Sequence, residues 1–297
     1  MSKQLKSWLL LVVLACIWGS SFFLMKRGMQ TASGISVFSA NQVGSLRMAI
    51  AGLVMLPFGI SIWRKLNSWK ILGSLLVVGF FGNFFPAFLF TFAETKLSSG
   101  LAGMLNSFTP FFTLFIGWSI FKQPLILRQV IGLMIAFAGM VLLVGLGGSS
   151  SDTTSWIHVG AILIATMMYG TSLNTIKHNL SGFKSWEITA LAFSLVALPA
   201  WIMLFVTGTF STISTNAYAI QGLGFISVLS VVGTCIALVL FNRIIALKSA
   251  VFASSVTYII PIVAVIIGVV LLHEQFQVVQ LLGMGVVIGG VFIANRN

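Results

Sequence analysis

Two prolines and a few polar side chains mark where this chain could do chemistry. Pro110 and Pro261 fall in the middle of long apolar runs. Proline has no N–H and its ring crowds the carbonyl four residues earlier, so each would free a backbone acceptor, at Asn106 and at Thr257. Elsewhere the apolar runs are interrupted by Asn83, Ser107, Thr109, Asn174, Thr234, Asn242 and Tyr258. Hydroxyls and amides in such surroundings turn inward and could hydrogen-bond a small polar molecule. Asn106 with Ser107, opposite Thr257 with Tyr258, is the best-placed set, and Asn83 and Thr234 belong to the same group. Two readings of the prolines stay open: bends that serve packing alone, or hinges beside a polar space. Trp18 and Tyr169 likewise either pack between helices or offer a face on which a ligand could stack.

Arg47 is the one charge well inside an apolar run. At the centre of a bilayer it would cost about 2.5–3.5 kcal/mol. Either it faces a polar space, where it would favour an anionic or zwitterionic molecule, or its helix begins late and it snorkels to the surface. Glu94, Glu187 and Glu274 stand at the ends of apolar runs, as do His158, His178 and His273, so no buried acid is expected to carry a proton. No nucleophile constellation, metal-ligand spacing or phosphate loop occurs. We therefore expect no catalytic residues, no metal and no cofactor.

The elements that must hold these residues follow from composition. The chain has 297 residues, 58% hydrophobic and 7% charged, with mean hydropathy +1.09. A soluble domain carries about a quarter charged residues, so lipid must be the solvent here. Apolar runs of helix-spanning length recur, too long and too uniform for barrel strands. Ten spans are expected, at roughly 8–26, 39–63, 69–93, 97–121, 126–146, 157–177, 186–207, 217–241, 249–272 and 276–295. The net charge of +12 is scattered between spans, a pattern of bilayer orientation and not of nucleic-acid binding. Cys16 and Cys235 lie within apolar runs and read as packed thiols.

The chain also repeats itself. At an offset of 151 positions Trp18-Gly19-Ser20-Ser21 falls on Tyr169-Gly170-Thr171-Ser172, Lys26 on Lys177, Gly82 on Gly233 and Pro110 on Pro261. Gly117, Gln129, Gly132 and Gly139 fall on Gly268, Gln280, Gly283 and Gly290. Two units are expected, residues 1–148 and 149–297, joined by the polar linker Gly147–Ser155. Five spans per unit is an odd number, so the second unit would enter the bilayer from the opposite side. Placing the N-terminus inside puts twelve Lys and Arg inside and three (Lys26, Arg27, Lys96) outside, so both termini are expected in the cytoplasm. Inverted repeats are a recurring device of secondary transporters, which alternate access to a site near the midplane.

Together these features resemble the drug/metabolite transporter superfamily, and within it the EamA-type ten-helix transporters. The resemblance covers essentially the whole chain. It rests on Trp18-Gly19-Ser20-Ser21, Leu46-Arg47, the block from Ala93 to Ala102, the mid-span prolines, and the Gln129-x-x-Gly132 and Gln280-x-x-Gly283 turns. One departure is visible: the second copy keeps an end-of-span acid as Glu274, whereas the first has Gln123. The resemblance implies a multi-pass protein of the bacterial inner membrane that exports amino acids or related amphipathic solutes without ATP. The fourth and ninth helices would gate the path, with the third and eighth lining it. The expected partners are a small solute and the lipid bilayer, with no nucleic acid, and the chain is expected to act as a monomer. A carrier of drug-like or nucleotide-derived solutes, or a non-transporting scaffold or sensor, are the alternatives.

Overall fold

The computed structural model describes residues 3–124, 126–142, 153–247 and 256–295. Its described residues are helical and contain no strand, only one isolated bridge between Gln30 and Ser36. With no water in hydrocarbon to satisfy backbone groups, the helix meets that demand within each segment.

The first half contains α1 (Lys3–Met29), α2 (Ala40–Ser61), α3 (Trp69–Gly79, continued by Phe80–Phe84 and Phe85–Ala93), α4 (Ser99–Asn106 and Thr109–Ser119) and α5 (Leu127–Val141). The second contains α6 (Thr153–Asn179), α7 (Ser185–Val206), α8 (Ala219–Ser230, Val231–Ile236 and Ala237–Leu247), α9 (Val256–Leu272) and α10 (Val278–Asn295). A short helix, Thr209–Thr215, joins α7 to α8.

Among the described residues seven helices are long and apolar enough to cross a membrane: α1, α2, α3, α4, α6, α7 and the first part of α8. Three shorter apolar helices, Leu127–Gly139, Ile259–Leu272 and Leu281–Ala294, occupy α5, α9 and α10. The expected fifth and ninth spans run into residues outside the described set, which shortens what can be measured of them. The linker expected over Gly147–Ser155 falls largely outside it too, and α6 has already begun at Thr153, before the linker was expected to end.

Helix starts follow their local chemistry. Ser39 caps α2 by accepting from the Gln42 N–H, while Gln42 Oε1 accepts from the Ser39 N–H at 2.9 Å. Ser98 caps α4 by accepting from the Leu101 N–H. Large apolar side chains such as Leu198, Phe205, Val206 and Leu282 stay exposed, as lipid contact requires.

Packing obeys a two-fold pattern in which the halves exchange roles. The α1–α9 contact has its counterpart in α6–α4, and α1–α8 in α6–α3, whereas α2 packs on α7 and α5 on α10. Gly52 meets Ala197 and Gly59 meets Ser194 and Ala190, so α2 and α7 run antiparallel. Gly132 meets Gly290 and Gly139 meets Val287, so α5 and α10 do too. Glycine lets these backbones close: a Cβ on Gly290 would lie 2.6 Å from the Gly132 carbonyl oxygen. The 151-residue register fails for one pair only. Ala40 opens α2 and Ser185 opens α7, a separation of 145, because the turn into α7 is shorter and Thr209–Thr215 follows it.

Candidate functional site

Two helices of the bundle loosen at matching positions. α3 carries a wide, π-type turn at Phe80–Phe84 and α8 carries another at Val231–Ile236, each starting 151 residues from the other. Such turns shift the hydrogen-bond ladder and are frequent at functional positions. Asn83 and Thr234 lie in them. Asn83 Nδ2 donates to the Val78 carbonyl at 3.1 Å, and Thr234 Oγ1 donates to the Leu229 carbonyl at 3.2 Å.

The turn in α8 collects the first group of expected residues. Trp18 Nε1 on α1 donates to the Gly233 carbonyl at 3.1 Å, with its ring tilted on Phe241. Arg47 Nε on α2 donates to Thr234 Oγ1 at 3.1 Å, and its Nη1 makes a long 3.9 Å contact to Met25 Sδ. Arg47 thus reaches from α2 across to the turn in α8. Neither ion pair found among the described residues, Lys26–Glu274 and Lys65–Glu187, involves it. The charge of Arg47 acts on Tyr169 and Glu94. Tyr169 stacks on Phe90 at 6.0 Å between ring centroids.

The second group gathers where α4 crosses α9. α4 breaks at Ser107 and Phe108, and Pro110 sits in the first turn of its second half. Thr109 Oγ1 donates to the freed Asn106 carbonyl at 2.9 Å. Ser107 Oγ, 1% exposed, donates across the crossing to the Thr257 carbonyl at 3.4 Å. Both carbonyls expected to be freed thus accept from a hydroxyl. The break is one-sided, however: α9 runs unbroken through Pro261. At the offset of 151, Thr109 corresponds to Ile260, which has no hydroxyl to hold a broken turn, so Thr257 takes its donor from the other half. Tyr258 lies on α9 and its side chain is outside the described residues.

Sequence reasoning missed the ends of these helices. Lys26 Nζ pairs with Glu274 Oε1 at 2.7 Å. The same carboxylate accepts from the N–H of Ser99 at 2.8 Å and of Gly100 at 3.2 Å, at the positive N-terminus of α4. At the matching position Lys177 Nζ donates to Gln123 Oε1 at 3.2 Å, and Gln123 Nε2 donates to Asn174 Oδ1 at 3.0 Å. The backbone repeats as well: Lys122 and His273 are left-handed at φ 54° and 55°. Their successors donate to Gly117 and Gly268, both at 2.9 Å. The alignment of Lys26 with Lys177 and the Glu-for-Gln difference were the available signals. A cleft of about 150 Å³ lined by Arg27, Thr31 and His273 opens beside the Lys26–Glu274 pair.

Glu94 requires a correction. Its place at the end of a span suggested a surface acid, yet it is 3% exposed. Glu94 continues the inward face of the last turn of α3, with Thr91 and Ala93 buried beside it, whereas Phe92 and Thr95 face outward. Thr95 beside it meets His158 Nε2 at 3.3 Å, and that imidazole stacks on Phe92. Among the described residues no set of three His, Cys, Asp or Glu side chains could hold a metal ion.

A family model described as EamA-like transporter family matches residues 6–145 and again 156–296. The chain belongs to the EamA-like transporter family. It is a multi-pass membrane protein, and several of its relatives are named as transporters. It is 25% identical to an "Uncharacterized transporter" of Archaeoglobus fulgidus, over 98% of this chain and 99% of the relative. It is 26% identical to the "Uncharacterized inner membrane transporter YedA" of Escherichia coli K12, over 95% of this chain and 88% of the relative. A Streptantibioticus cattleyicolor protein named "Probable terminal-alkyne amino-acid exporter" is 24% identical over 96% and 92%. A solved crystal structure superposes with TM-score 0.64, covering 99% of this chain and 98% of that one at 13% identity, a likeness of fold alone.

Proposed function

We propose that this EamA-family chain is a secondary exporter of small amphipathic solutes bearing a carboxylate, amino acids first among them, working by alternating access. The two halves, residues 1–148 and 149–297, would be inverted five-helix repeats with ten spans and both termini in the cytoplasm. Support comes from the antiparallel packing of α2 on α7 and of α5 on α10, which an axis in the membrane plane would produce.

The observation that carries the substrate class is Arg47. Its guanidinium is held inside the bundle by a neutral hydroxyl and a thioether, with no carboxylate in ion-pair distance among the described residues. A partly buried guanidinium lacking an anion is a costly arrangement, and a solute carboxylate would relieve it with two parallel hydrogen bonds. Trp18 and Tyr169 would flank the solute's apolar part. Asn83, Asn106, Ser107, Thr234, Thr257 and Tyr258 would supply its remaining hydrogen bonds, with Pro110 and Pro261 setting where α4 and α9 flex. The name of the Streptantibioticus relative agrees with this class.

Counterflow in proteoliposomes tests it. Labelled neutral L-amino acids should exchange, the matching amines without a carboxylate should not, and Arg47→Gln should lower exchange at least about tenfold, one charged hydrogen bond's worth. Equal exchange of acids and amines would remove the carboxylate assignment. No solute movement across the whole panel would leave the scaffold reading in its place.

A further inference from the structure

Glu94 is the one carboxylate in the described structure whose two side-chain oxygens are both buried without a hydrogen-bond partner. It stands one residue past α3. Five positions on, at the start of α4, the buried Ser99 hydroxyl also has no partner. Charged and titratable groups face it from each neighbouring element: Lys26 from α1, Arg47 from α2, His158 from α6 through Thr95, and Glu274 from the end of α9. Lys26, the cation that acts on it most strongly, is committed to Glu274. We propose that Glu94 is a proton-binding site at this end of the protein, and that parting of the Lys26–Glu274 pair releases its proton.

The charges balance through the step. With the pair made, Lys26 ammonium and Glu274 carboxylate neutralise each other and Glu94 is a neutral carboxylic acid. When the pair parts, Glu274 faces the cleft, Lys26 turns to Glu94, and the O–H proton of Glu94 leaves to water. The cleft already reaches Lys26 and Glu274, the two groups whose parting would open a way from Glu94 to water. Burial raises the carboxyl well above the usual carboxylate range, Lys26 and Arg47 pull against that shift, and Glu274 adds to it. Losing Glu274 as its competitor for Lys26 should therefore lower the proton affinity of Glu94. This inference extends the exporter reading in one respect, by linking opening of that end to proton exchange; the binding site itself stands on the geometry alone.

Infrared titration of the purified protein in lipid nanodiscs reads the site without any solute. The wild type should show a protonated-carboxyl C=O band that persists above the ordinary carboxylate range and disappears as pH rises. Glu94→Gln should lack it, and in Glu274→Gln it should be lost at a pH lower by at least one unit, a tenfold fall in proton affinity. The proposal fails if the band is the same in wild type and Glu94→Gln. An unmoved titration in Glu274→Gln, which keeps the size of the side chain, overturns the link to Lys26. Loss of the band on adding sodium at constant pH would make this a metal-cation site instead. In proteoliposomes exchanging labelled L-phenylalanine, a pH gradient should speed flux by the wild type and leave Glu94→Gln unresponsive. Wild-type flux indifferent to the gradient would overturn the coupling. Absence of any flux would count against the exporter reading, and the infrared titration would still decide Glu94.

Discussion

Glu274 shows how much one side chain can be asked to hold. It takes the Lys26 ammonium and two N–H groups of α4, so it ties α1, α4 and the end of α9 at one point. Side-chain exposures of 15% for Lys26 and 9% for Glu274 leave little room for water to replace it. Truncation strands a half-buried ammonium and two helix N-terminal donors together. Removing one partner of such a pair typically costs about 3 kcal/mol. Glu274→Ala should therefore lower the unfolding temperature of the detergent-solubilised protein more than Glu274→Gln, whose amide oxygen can still accept from Ser99 or Gly100. Equal melting of the two variants in a fluorescence-detected thermal assay would show that the charge, and not the cap, carries the effect.

At the scale of helices, close approach is built from glycine where two backbones meet and not elsewhere. Adjacent glycines of α10 make the comparison. A Cβ on Gly290 would press on the Gly132 carbonyl oxygen and on the backbone of Ala136, whereas one on Gly289 meets nothing within 4 Å. Gly290→Ala should push α5 and α10 apart and cost about 1–3 kcal/mol. Gly289→Ala should be neutral, or gain up to about 1 kcal/mol from helix propensity. Melting curves of the two variants, measured side by side, check this, and similar losses in both would show that the helices do not meet as described. This contact was half legible: the pairing of Gly132 with Gly283 and of Gly139 with Gly290 in the repeat was visible, but which copy touched which was not. The π-type turns at Phe80–Phe84 and Val231–Ile236 were not legible at all. Neither turn contains proline, and an extra residue in a helical turn leaves no mark on an apolar run.

Over the whole molecule, the register that related Lys26 to Lys177 and Trp18 to Tyr169 recurs in backbone geometry, down to the left-handed residues Lys122 and His273. What the repeat could not convey is its own asymmetry, because equal spacing hides unequal chemistry. Pro110 breaks its helix and Pro261 does not, for want of a hydroxyl at Ile260. The two ends differ more consequentially: one is closed by an ion pair, Lys26–Glu274, and the other by a hydrogen bond from the Lys177 ammonium to the neutral Gln123 amide. If the halves rock about the α4–α9 crossing, the charged end should be the harder to open. Gln123→Glu would give the Lys177 end a charged pair of its own. That pair is exposed, so its worth is about 0.5–1 kcal/mol. An equilibrium between the two openings would then move about two- to fivefold toward the state open at the Lys26 end. Glu274→Gln, which takes the charged pair from the Lys26 end, should move it the same way. Ser107→Cys reports the shift, since Ser107 lies at the crossing and is buried, in a background where Cys16 and Cys235 are replaced. A membrane-impermeant thiol reagent should label it faster from the Lys26 side in Gln123→Glu and in Glu274→Gln alike. Labelling rates that ignore both substitutions would mean that these end contacts do not set which side of the protein opens.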